Sequence, residues 1–460
     1  MSDYPYTEDE QQRNRILTHQ DREIGSIVFD SPNEDCITES ENVLRSLGYG
    51  QEVDDAQQAS QSSVETWDLV IPSWEILCKE ANEAIQGECS LTSLFTEEEL
   101  IGNKEYIFKL NSDFNAIHNL DKTDILICAL AGIISATIDI LLVGIPSGPF
   151  SEANLTGSLS DYIRKQFENK FPPEEMEKLG QKKFVKTPYD AQDNRNTVID
   201  VDGLSSYYHR LLSLGHDPAL GWIVGVIDIM RGQMTTIDKK GKIVIQVVEN
   251  YSGREETNLF KAFAKQFLHL KSDLTTSMGL PAPFMGLFNM FQFGNIGEEE
   301  KTIAEIVQEM YHDGYDFIQF CSSSIPVMLT EVVVRVSWAI RRLKNGYSLK
   351  ESIPSSLNRD KHPKLASMLF LAHSAASAIN AGKVLFTKNP MAINYPQWLA
   401  FSRYAFKQLK WWLWEKETMR DKYVMDLIDK EGNDILAMIN KEFESFQPRL
   451  LIGDDSLVMN

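Results

Sequence analysis

The sequence predicts a mainly α protein, a multi-helix bundle around one central apolar helix, with one small β-hairpin and a disordered acidic N-terminal arm. Three observations predict it. Apolar residues recur at helical spacing from Trp67 to Asn119 and again from Asn258 to Glu444. The stretch ILICALAGIISATIDILLVGI, Ile125 to Ile145, holds Asp139 as its sole charged residue. Met234 to Ile237 and Lys242 to Val248, joined by DKKG, alternate as a hairpin over about residues 234–248.

At 460 residues and 43% hydrophobic content, the chain has apolar surface for a sizeable core and length for two or three domains. A net charge of -21 repels phosphate, and with no basic patch to overcome it no nucleic-acid partner is expected. The cysteines Cys36, Cys78, Cys89, Cys128 and Cys321 are odd in number, scattered and without CxxC spacing, which excludes a disulfide framework and a thiolate zinc site and fits a reducing compartment. The first 30 residues hold no apolar signal core, so cytoplasmic residence is the expectation.

In chain order, residues 1–64 are rich in Asp, Glu, Gln and Ser and close on QEVDDAQQASQSS, the composition of a disordered arm. Residues 65–119 read as an N-terminal helical segment, with SLTSLFTEEEL offering a cap before acidic first-turn residues. Residues 120–285 read as a second helical domain, with a polar insertion at 148–201 that suits a flap or lid. Its segment 125–145 is open to two readings, a membrane-crossing helix or a buried core helix, and under either Asp139 needs a partner. Tyr207 to Leu214 and Pro218 to Met230 read as helices broken at Gly215, with Asp217 as a cap. Residues 286–445 form a C-terminal helical region packed on that domain, with breaks at Pro326, Pro354, Pro363 and Pro390, and 446–460 a tail. Its run YPQWLAFSRYAFKQLKWWLWEK is amphipathic, with a face for the core or for a membrane interface. Neither a GxGxxG nor a P-loop fingerprint is present to support nucleotide binding.

The chemistry concentrates in FLHLKSDLTTSMGLPAP. His269 and Asp273 stand one helical turn apart, within reach of a common ion, and Gly279, Pro281 and Pro283 end that helix close by. His209 and His216 are seven apart, too far for one ion on an unbroken helix, so the break at Gly215 is required for them to converge. With Asp139 and Asp217 these residues offer imidazole and carboxylate in the mix that suits zinc, manganese or iron. Asp217 is equally explained as a cap before Pro218.

Taken together, ATID at Asp139, HRLLSLGH at His209 to His216, and HLKSDLTTSMGLP at His269 to Pro281 resemble the bacterial inner-membrane-associated metal-dependent hydrolases described as LexA-binding. His269, Asp273, Thr276, Gly279 and Pro281 fall at that family's HxxxDxxTxxGxP spacing. The HR to H spacing is longer here by two residues, and only Asp139 remains of the first motif. The resemblance covers roughly residues 120–285. It implies a hydrolase of a phosphoester or lipid-like substrate, with His209, His216, His269, Asp273 and Asp139 as ligands to a divalent metal, zinc or manganese. Further polar residues that could line the cavity are Asp217, Asp228, Thr276, Asp316, Glu331 and His373, with Glu331 and Arg335 also readable as a helix salt bridge. A membrane surface is the partner expected, through 125–145, at the inner membrane. Two other readings stand beside the enzyme: a membrane-associated scaffold with a degenerate site, and a regulator docking on an unknown protein through the acidic arm.

Overall fold

The structure, a computed structural model, describes residues 7–26, 31–55, 73–87, 95, 97–146, 156–251, 255–294, 296 and 300–450. It is mainly helical, and the one sheet among the described residues is a two-stranded antiparallel hairpin. The chain divides into two compact units, Met1–Ser112 and Asp113–Asn460.

In the first unit, part of the arm expected to be disordered is helical. Helices run over Glu8–Ser26 and Ser31–Ser46, and Trp74–Ala84 follows. Thr7 and Glu10 cap one another's backbone, and Glu8, Asp9 and Glu10 complement the positive end of the helix dipole. Ile16 then packs with Cys78 and Ala81 in a small core that sparse apolar composition did not announce. Residues 56–64, the end of that arm, lie outside the described residues.

The second unit is built around the apolar segment. The central helix covers Lys122–Ile138 and continues through a five-residue π segment, Asp139–Val143. Asp121 caps it reciprocally with Asp124, and Gly144, at φ 73°, turns the chain out. One face is buried against Phe317–Lys344 and Leu365–Thr387, with Cys128, Ala131, Val334, Trp338, Leu369 and Ala372 forming the core there. Gly132 permits this approach, since a Cβ would lie 2.7 Å from the Ala372 carbonyl oxygen. The opposite face, Leu126, Leu130, Ile133 and Leu141 among others, is exposed. Among the described residues, three helices are long and apolar enough to cross a membrane: the one ending at Val143, Phe317–Lys344 and Leu365–Thr387.

The break expected at Pro326 does not occur. Proline costs the helix one backbone hydrogen bond, but Val327, Thr330 and Val334 beyond it are buried and carry the helix on. The insertion holds helices at Ser158–Lys170 and Pro173–Gly180. The hairpin joins β1, Gln233–Ile237, to β2, Ile243–Val247, with Thr235 opposite Ile245. The expected helix over 207–214 shortens to His209–Leu212, followed by a 3-10 turn at Leu214–His216, because Ser213 bridges to Thr236 of β1. Helical structure resumes regularly only at Val224–Arg231. The last helix, Lys416–Leu450, reaches into the expected tail, and 451–460 lie outside the described residues.

Candidate metal centre

Four of the five ligands expected from the sequence come together, and Asp190 joins them. Leu259–Asp273 is capped by Asn258 and buries Gln266, His269 and Asp273 on one face, as a turn-by-turn spacing of three and four requires. The break at Ser213 and Gly215 folds His216 back towards His209, so the seven-residue separation closes as it must. Gly215 makes this possible, because a Cβ there would lie 2.6 Å from the Tyr189 ring.

The ligand atoms form two overlapping triads, Asp190 with His209 and His216, and His216 with His269 and Asp273. His209 Nε2 and His216 Nε2 lie 3.5 and 3.7 Å from Asp190 Oδ1. His216 Nε2 and His269 Nε2 lie 3.6 and 3.5 Å from Asp273 Oδ2, and 3.2 Å from each other. Ligand bonds of about 2.1 Å place neighbouring ligands of a tetrahedral ion about 3.4 Å apart, so these separations fit. His216 turns the same Nε2 to both triads, which argues for one ion and against two.

The surroundings prepare these atoms for a cation. His209 Nδ1 lies 3.0 Å from the Ser206 carbonyl oxygen, which fixes the proton there and leaves Nε2 as a lone pair. Arg210 Nη2 donates to Asp273 Oδ1 at 3.0 Å and Nη1 to the Ser277 carbonyl oxygen at 2.9 Å. Asp273 Oδ2 is therefore the free oxygen, and it and His209 Nε2 are buried with no hydrogen-bond partner. Unpartnered buried atoms facing one point are expensive unless something binds there. Tyr189 meets the His216 and His269 rings edge-on at 5.0 and 5.3 Å and donates its hydroxyl to Gln266, whose amide donates to the Gly215 carbonyl oxygen at 2.8 Å. Burial would raise the Asp190 carboxyl, but the His209 and His216 rings outweigh it and hold it well below the usual range. Burial pushes His216 down to about 4, against the pull of Asp190, so its imidazole is neutral and able to ligate at pH 7.

Asp139 belongs elsewhere. Its carboxylate accepts from Lys383 Nζ at 2.9 Å, Asn394 Nδ2 at 2.6 Å and Asn380 Nδ2 at 3.3 Å, a buried pair that answers its need for a cation with an ammonium. Asp217 is a cap, accepting from the backbone of Ala219, Leu220 and Phe284. Asp228 accepts from Gln233 and twice from Thr235, which fastens the Val224–Arg231 helix to the hairpin. Asp316 caps Phe317–Lys344 and pairs with Arg164. Glu331 pairs with Arg335 one turn on and accepts from Tyr404, while His373 lies 3.6 Å from Glu331 and beside Gln397. Thr276 Oγ1 is buried without a partner three residues past Asp273.

Asp190 was missed because it sits in the polar loop KTPYDAQDNRNT, where an acid has no periodicity to distinguish it. Comparison with family models, curated proteins and solved structures gives no match for this chain.

Proposed function

We propose that the protein is a metal-dependent hydrolase of a phosphoester or lipid-like ester, with one zinc or manganese ion held by His216 together with Asp190 and His209 or with His269 and Asp273. The observation that carries this reading is the pair of buried His/Asp triads that share His216 Nε2, with His209 Nε2 and Asp273 Oδ2 otherwise unsatisfied. The resemblance of HLKSDLTTSMGLP to the LexA-binding hydrolases supports the same reaction class.

A divalent ion in such a set supplies Lewis acidity and a water of lowered pKa. The protein's own residues do the rest. Two carboxylates against the Arg210 guanidinium leave the site with one net negative charge, which favours a cation. Arg210 orients Asp273, the Ser206 carbonyl orients His209, and Gln266 with Tyr189 holds the turn that presents His216. The Asp190 side chain, 30% exposed, is the open side of an otherwise buried set and is where a substrate would approach. The test is hydrolysis of an activated phosphodiester and an activated carboxylic ester by the purified chain with zinc or manganese, beside His269→Ala. Activity lost in the variant supports the reading, and equal activity in both contradicts it.

A further inference from the structure

We propose that the three long apolar helices of the second unit cross a lipid bilayer, with the candidate metal centre on the face opposite the basic connection Arg341–Lys364. The inference is independent of whether the centre is catalytic.

The lengths suffice. The central helix and its π segment have 17 and 5 residues, and the other two helices have 28 and 23. At 1.5 Å per residue these span about 33, 42 and 34 Å, against a hydrocarbon core of about 30 Å. The three pack on one another along small inner residues, and two of them turn apolar stripes outward. Leu126, Leu130, Ile133 and Leu141 form one stripe, and Met328, Val332, Val336 and Ile340 another, all exposed. On these three helices charge turns inward: the Asp139–Lys383 pair is enclosed, and the half-buried Glu331 carboxylate accepts from Tyr404 of the neighbouring helix Tyr395–Lys410. Polar groups inside and apolar stripes outside suit lipid, and a soluble bundle would reverse them.

The ends of the helices set the orientation. Arg341 reaches Asp121 and Asp124, and Lys364 lies 3.4 Å from Asp124, so the start of the central helix, the end of Phe317–Lys344 and the start of Leu365–Thr387 share one rim. At the opposite rim Asp139 meets Lys383, and Asp316 pairs with Arg164. The turn after the metal motif rests there, since a Cβ on Gly279 would lie 3.1 Å from Asp316. Residues Arg341–Lys364 hold seven basic and two acidic side chains, whereas the short connection Lys388–Asn394 at the other rim holds one basic residue. The segment 145–316 is too long to count in that comparison. The basic rim therefore faces the cytosol and the candidate metal centre faces away from it.

The experiment places an epitope after Lys183, in an exposed turn of the metal-binding side, or after Gly346, where a Cβ would meet nothing within 4 Å. Each full-length chain is expressed in a bacterium, membranes are washed in alkaline carbonate, and antibody access is read in intact and permeabilised spheroplasts. Expected are retention in the carbonate-washed membrane, access to the 183 epitope in intact spheroplasts, and access to the 346 epitope only after permeabilisation. Trypsin applied to wild-type chain in inverted vesicles should cut between Lys344 and Lys364, and in right-side-out vesicles should not, which keeps the test valid if an insertion misfolds. Release by carbonate would overturn the crossing and point to a surface contact or to a second copy covering the stripes. Both epitopes on one side, or the reversed pattern, would overturn the orientation.

Discussion

Replacing Asp139 by Ala should destabilise the protein strongly and leave its metal content unchanged. Lys383 Nζ sits 2.9 Å from Asp139 Oδ2, and both side chains are more than nine-tenths buried, at 7% and 6% exposure. Removing the carboxylate leaves an ammonium with the Gly144 carbonyl oxygen as its remaining partner, and strips Asn394 of its 2.6 Å acceptor. Breaking a buried pair from one side costs about 3–5 kcal/mol. The double replacement Asp139→Leu with Lys383→Met removes both charges and should recover most of that loss, which a double-mutant cycle reads as coupling. The assay is denaturant unfolding followed by tryptophan fluorescence, with metal stoichiometry measured on the same preparations. A single variant that loses metal in proportion, or unfolds within about 0.5 kcal/mol of wild type, the range of neutral surface changes, would refute the assignment of Asp139 to an ion pair.

Three further outcomes are expected. Burial raises Asp228 to about 6 from 3.8, against its hydrogen bonds from Thr235 and Gln233, so the native state holds a proton that the unfolded chain has released between those values. Stability should then fall as pH rises from about 4 to about 6, by roughly 3 kcal/mol at 1.36 kcal/mol per pH unit, and unfolding curves of wild type and Asp228→Asn that stay parallel across that window would contradict this. Gln266→Leu cuts the bonds to Gly215 and Tyr189 without touching a ligand atom, so metal affinity should drop about 10–100-fold with the fold retained; competition with a chelator measures it, and unchanged affinity would count against the positioning role. Arg210→Leu frees Asp273 Oδ1 and should weaken metal binding in the same assay while circular dichroism stays that of wild type.

The helical class and the hairpin were legible because both rest on periodicity. The central helix was legible from unbroken apolarity and its two companions from helical period, although which faces stay exposed was not, since exposure depends on which neighbours arrive. His269 and Asp273 were readable from local spacing, and the convergence of His209 and His216 followed from the break at Gly215. Asp139 was assigned to the metal because a buried carboxylate demands a cation, and sequence cannot say that Lys383, 244 residues away, supplies it. Asp190 lay in the opposite blind spot, a loop acid whose role is set entirely by tertiary contact. The helices inside 1–64 were hidden by polar composition, where reciprocal capping by Thr7 and Glu10 and a few contacts around Ile16 suffice.

The most direct test of the account is the metal content of His216→Ala beside wild type, purified identically and loaded with zinc or manganese before removal of free ion. His216 Nε2 is common to both triads, so one ion per chain is expected in wild type and almost none in the variant. Two ions in wild type, or one retained in the variant, would contradict a single centre organised on His216.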